Sequence, residues 1–142
     1  MARSALRLSA APEELETVHV DFIGIQPFGE TSQIDVVLDE LGEIDLRNDG
    51  AVVGIRFVAG AKALSVVVDF SIEGRAVSLE FVEAEVIQVE PDLPIIVDPT
   101  YGHALLIGLW AWTAPGGRRG CTVDTTMMSI DLYATRVIAN VE

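Results

Sequence analysis

Apolar and polar side chains alternate along much of the chain, most clearly from Leu64 to Phe81. Leu64, Val66, Val68, Phe70 and Ile72 alternate with Ser65, Asp69 and Ser71, the two-residue period of a strand with one buried face. Gly74 then supplies a turn, and a tight connection at Glu73-Gly74 brings Phe70 opposite Val77, Val68 opposite Leu79 and Val66 opposite Phe81. These pairs are all apolar. On the other face Asp69 meets Ser78 and Ser71 meets Ala76, and only Val67 beside Glu80 mixes characters. A one-residue slip would turn every side chain over, so the register of this hairpin is strongly specified. A lone hairpin is marginal in water, so its apolar face requires more sheet.

The flanking segments supply it. In TVHVDFIGIQ, Val18, Val20 and Phe22 oppose His19 and Asp21, and a bend near Ile23-Gly24 accounts for the switch of apolar face at Ile23 and Ile25. QIDVVLDEL sets Ile34, Val36 and Leu38 against Asp35 and Asp39, and with Gly42 and EIDLR it reads as a second hairpin. Asn48-Asp49-Gly50 is a turn, after which AVVGIRFVA offers Val53, Ile55 and Phe57 inward and Arg56 outward. Past Phe81, Glu83 and Glu85 stand where the apolar face should continue, so a bulge or a run past the sheet edge is expected. Pro91, Pro94 and Pro99 make the following segment a loop. ALLIGLWAWT, as a strand, sets Leu105, Ile107 and Leu109 on one face and Leu106, Trp110 and Trp112 on the other, both covered. APGGRRG is a loop, and three short strands close the chain with Asp124 and Asp131 outward.

About nine or ten strands at such spacings predict an all-β, mainly antiparallel sandwich or partly open barrel. The 142 residues fit a single domain spanning 1–142, with residues 1–15 as a poorly ordered arm.

Charge changes the picture most. Acidic residues number 22 against 9 basic ones, a net charge of -13, which disfavours nucleic acid as a partner. No apolar run reaches the roughly 18 residues of a membrane span. The first residues carry Arg3 and Arg7 without a continuous apolar stretch, and the single cysteine, Cys121, suits a reducing compartment, so a cytoplasmic location is expected.

Candidate chemistry is sparse, and neither a metal nor a cofactor is expected. His19 and His103 lack ligand spacing. Asp98, Tyr101 and His103 share one loop and could act as base, orienter and donor, although a turn with a packed tyrosine ring is the preferred reading. Cys121 follows Arg118 and Arg119, which favour a thiolate, but it reads better as a small buried hydrophobe. Trp110 and Trp112, with Tyr133 available, could form a stacking platform or a protein-binding hot spot. The apolar flank ALLIGL makes core the preferred reading for both tryptophans.

The order VVGIRF, VSLEFVEAEVIQVE, ALLIGLWAW and TVDTTMMSIDLYATRVIANV resembles small bacterial immunity-type β proteins of polymorphic toxin systems. The resemblance covers the chain from Ala51 onward and carries over no functional residue. It implies a cytoplasmic protein that neutralises a toxin by binding it, and acidity would suit a basic toxin through steered association. The leading expectation is therefore a non-enzymatic protein-binding domain using an acidic face of Asp35, Asp39, Asp69 and Glu80. The alternatives are a small-ligand-binding β-barrel or sandwich using Tyr101, His103, Trp110 and Trp112, an enzyme centred on Asp98, Tyr101 and His103, or a subunit of a larger assembly or homo-oligomer joined through β edges.

Overall fold

A computed structural model describes residues 19–96 and 102–142. The arm expected over 1–15, Val18, and the loop residues Asp98 and Tyr101 lie outside the described residues. Ten strands follow in order: β1 (Asp21–Ile23), β2 (Asp35–Leu38), β3 (Gly42–Asp45), β4 (Gly50–Ala59), β5 (Leu64–Ile72), β6 (Arg75–Pro91), β7 (Leu106–Thr113), β8 (Arg119–Thr125), β9 (Met128–Tyr133) and β10 (Arg136–Val141). Among the described residues there is no helix, and so none long and apolar enough to cross a membrane.

The central hairpin has the expected register, with Phe70 opposite Val77, Val68 opposite Leu79 and Val66 opposite Phe81. Its turn residues, Glu73 at φ 51° and Gly74 at φ 82°, both adopt the left-handed conformation that matches the twist of the flanking strands.

The second strand of that hairpin organises the sheet. β6 runs for 17 residues, and β9 and β10 succeed one another along one edge of it, from Pro91↔Met128 to Val77↔Val141. β5 covers the opposite edge only as far as Ala84. Glu83, at φ 53°, is the bulge between the two halves. The bulge explains the two glutamates. Val77, Leu79 and Phe81 point into the core, then the parity changes, so Ala84 and Val86 pack inward while Glu83 and Glu85 stay exposed. Thr135, between β9 and β10, locks the bend by donating its amide to Val82 O (3.0 Å) and its hydroxyl to Glu83 Oε1 (2.7 Å).

The resulting order is β1-β10-β6-β9-β8-β7, with β5 and β4 continuing from the first half of β6. All pairs are antiparallel except β1 with β10, and the sheet curls into an open half-barrel. The predicted second hairpin, β2–β3, forms a small separate sheet. It is tied to the large sheet by reciprocal Gln33 and Leu109 backbone bonds (2.9 Å each) and brings Val36 and Leu38 to the common core. That core also holds Leu46, Phe70, Phe81, Leu109, Ile130 and Leu132, all at most 1% exposed, and each such side chain stabilises the fold by about 1.5–3 kcal/mol through burial.

Two strand faces differ from expectation, for one reason. In β4 the register shifts between Val52 and Gly54, so Val52 is buried and Val53 is 62% exposed instead of facing inward. In β7 it shifts between Leu106 and Gly108, which puts Leu106 and Leu109 together on the inner face. Trp110 and Trp112 therefore belong to the outer face, half-buried, and are not core. A single extra residue reverses the side-chain parity of everything beyond it.

Candidate functional site: the outer face of β7, β8 and β9

Strand register arranges the outer face in rows. Trp112 lies beside Gly120, Tyr133 and Glu85; Trp110 beside Thr122, Asp131 and Gln88; Gly108 beside Asp124, Ser129 and Glu90. The first row is aromatic and the last is acidic.

The aromatic end is rigid. The Trp112 indole N–H donates to Thr122 Oγ1 (2.8 Å), and the Thr122 hydroxyl donates to Asp131 Oδ1 (2.6 Å). Tyr133 meets Trp112 edge to face with centroids 5.4 Å apart. Arg118 stacks 3.8 Å above the Tyr133 ring while its guanidinium donates to Glu85 Oε1 (2.7 Å). The loop Ala114–Arg118 aims Arg118 back over the sheet through the Ala114 amide on Arg118 O (2.8 Å).

At the acidic end a recess of about 270 Å³ opens between Glu90, Asp92, Asp124 and Ser129, with Ile107 and Met128 as apolar walls. Burial pushes the Asp124 carboxyl above the usual carboxylate range, and the like charges of Asp92, Asp131 and Glu90 push it further. Among the described residues the ion pairs of arginine are Arg56–Asp69 and Arg118–Glu85, and His19 Nε2 lies 3.1 Å from Asp21 Oδ1, so none of these groups pairs with Asp124, Asp92 or Glu90. No group of three or more His, Cys, Asp or Glu residues there is arranged to hold a metal ion.

The acids expected to form a contact surface divide between two sheets. Asp69 and Glu80 lie on the outer face of β5 and β6, whereas Asp35 belongs to the small sheet, opposite Asp45, and Asp39 to the turn of that hairpin, bonded through its amide to Gly24 O (3.0 Å). Asp69 is already neutralised by Arg56, whose Nε and Nη2 donate to its two oxygens at 2.7 and 3.1 Å.

The expected ligand residues divide likewise. His103 lines a separate recess of about 270 Å³ with Arg47, Asn48, Ile34, Gly50 and Leu105, away from the outer face that bears the tryptophans. Its Nδ1 lies 3.3 Å from Ala104 O. Cys121 is fully buried, and burial pushes its thiol up to about 12 against the weaker opposing effect of Arg119. It is the small core hydrophobe that its strand position predicts.

Thr122, Glu90 and Asp92 join the site without having stood out in the sequence: strand register brings Thr122 beside Trp110 and Asp131 and Glu90 beside Ser129, and the Asp92 amide bond to Met127 O (2.9 Å) holds Asp92 at the same end. Comparison with known protein families, curated proteins and solved structures finds no match, so the geometry of this face stands alone.

Proposed function

We propose that the chain is a non-enzymatic protein-binding domain that receives a basic partner on the outer face of β7, β8 and β9. The observation that carries this reading is Asp124: a partly buried carboxylate facing Asp92, Asp131 and Glu90 with no cation among them. Such an arrangement costs free energy in the isolated domain, and a lysine or arginine side chain placed among these groups would offset the cost. Trp110 and Trp112 alongside supply large, partly exposed aromatic surface near the charge, the composition typical of binding hot spots. The overall charge of -13 adds long-range steering toward a basic surface.

Within this reading, neutralisation of a basic toxin in the cytoplasm is the most specific role, as the immunity-type resemblance implies. The earlier candidate acids contribute less. Asp69 is occupied by Arg56, and Asp35 and Asp39 stand on the separate β2–β3 hairpin.

The test compares partners retained from the native cell lysate by the wild-type chain, by Asp124→Asn/Asp131→Asn and by Trp110→Ala, at low and high salt. A basic protein held stoichiometrically by the wild type, released by salt and lost with either variant supports the reading. Equal retention by Asp124→Asn/Asp131→Asn overturns the assignment of this face.

A further inference from the structure

We infer that β4 is a self-association edge through which two copies of the chain join their half-barrels into one continuous antiparallel sheet. The inference is independent of the acidic face and rests on the direction of backbone groups.

β4 pairs with β5 on one side only. The Gly60 amide donates to Ala63 O (2.8 Å) across the turn, so at Gly60 the backbone points toward β5. Antiparallel strands alternate the side on which successive residues offer their N–H and C=O. Val58, Arg56 and Gly54 therefore point toward β5, and Ala59, Phe57 and Ile55 point away from it. The other end of β5 gives the same parity. Ile72 flanks the tight turn into β6 and faces that strand, so Phe70, Val68 and Val66, the last two opposite Ile55 and Phe57, also face β6. Beyond the bulge, Val52 again points outward and donates to Ala104 O (2.9 Å). Among the described residues, no backbone partner bonds the outward groups of Ile55, Phe57 and Ala59.

Past its bulge at Val53 this edge is poorly protected. It has no proline and no charge other than Arg56, and Val53 and Phe57 are 62% and 45% exposed. Nor does the surrounding acidity guard it, since from Gly50 to Val68 the chain has no acidic residue and carries only Arg56 and Lys62.

The same features select a second copy as the occupant. The outward residues Ile55, Phe57 and Ala59 are symmetric about Phe57, so a two-fold axis there matches Ile55 of each copy with Ala59 of the other and Phe57 with itself. Every outward N–H and C=O then finds a partner. Arg56 of one copy faces Val58 of the second copy and not its own equivalent, which avoids a direct clash of like charges. The exposed Phe57 rings meet at the axis, where an aromatic pair is favourable. Asp69, on the neighbouring strand, is already bonded to Arg56, so this acid brings no unpaired charge to the contact.

Sedimentation equilibrium of the full chain across a roughly hundredfold concentration range should show monomer giving way to twice its mass. Two variants should stay monomeric at every concentration. Phe57→Lys places like charges on the axis, and Phe57→Pro removes an N–H that the β4–β5 ladder does not use. Phe57→Cys should form a disulfide-linked dimer under mild oxidation, because directly opposed residues of a hydrogen-bonded pair stand about 5.5 Å apart between Cα atoms. Val53→Cys, off the axis, should not. Cys121 is buried and does not compete. A wild-type chain that stays monomeric throughout, or a dimer that persists in Phe57→Lys, overturns the inference, and far-UV circular dichroism verifies that each variant is folded.

Discussion

Trp112 occupies the space that a side chain at Gly120 would need: a Cβ there would stand 2.6 Å from Trp112 Cζ2 and 2.7 Å from Cζ3. The glycine therefore lets the indole lie on the β8 backbone, where its N–H reaches Thr122. Gly120→Ala should displace the ring, break the Trp112–Thr122–Asp131 chain and destabilise the fold by about 1–3 kcal/mol. Urea unfolding measures the loss, and a changed near-ultraviolet circular dichroism band with an unchanged far-ultraviolet spectrum assigns it to the ring. A variant with wild-type stability and spectrum would show that Trp112 does not rest there.

The turn of the central hairpin can be improved. Glu73 adopts φ 51°, a conformation that a glutamate takes less readily than asparagine, and it precedes Gly74 at φ 82°. Glu73→Asn should raise stability by about 0.5–1 kcal/mol, seen as a higher urea midpoint with an unchanged slope. Gly74→Val should lower it, since a β-branched residue is strained at positive φ. Glu83, at φ 53°, differs because its carboxylate accepts the Thr135 hydroxyl. There Glu83→Gly relieves backbone strain and loses that bond together, so its net effect should be smaller than the gain at Glu73.

The hairpin register was legible in the sequence because strict alternation leaves one pairing that buries Phe70, Val68 and Val66 together. The bulge near Glu83 was legible too, as two glutamates in an apolar phase. The bulges at Val53 and Ile107 were not. Both lie in runs apolar in both phases, AVVG and LLIGL, so no polar residue marks the change of parity. That ambiguity hid the site, because the phase of β7 decides whether Trp110 and Trp112 are core or surface. The acidic recess was hidden for another reason. Glu90 and Asp92 are distant in sequence from Asp124 and Asp131, and only strand pairing collects them.

Cys121 should be inert in the folded chain. Its thiol is fully buried and held up to about 12, so a thiol-specific reagent at mildly alkaline pH should label it only upon unfolding. The raised folded value favours the neutral thiol. Its contribution to stability is complete below the ordinary thiol value of 9.0 and is lost as pH rises from there toward 12. The advantage of wild type over Cys121→Ala should therefore shrink over that alkaline range in urea titrations. Rapid labelling of the native chain would contradict this placement.

Asp124 separates stability from binding most sharply. Its carboxyl is raised by burial first and then by Asp92, Asp131 and Glu90, so the folded chain favours its neutral form. The stabilising contribution of that neutral form is complete below the unfolded carboxyl value, about 3.9, and is lost as pH rises through the folded value. Asp124→Asn keeps the shape while removing the charge, so it should be more stable than wild type at neutral pH. The difference should shrink as pH falls through the folded value and be gone below about 4, where the wild-type carboxyl is neutral in the folded and the unfolded chain. If this face receives a basic partner, the same substitution should weaken binding, chiefly through slower association at low salt and faster dissociation. Thermal unfolding across pH and binding kinetics on the captured partner read the two effects separately. Opposite signs at neutral pH would mark Asp124 as a group whose cost to the fold is offset by a partner. A variant less stable than wild type at neutral pH would place a favourable contact at Asp124 and remove the electrostatic basis for the proposed site.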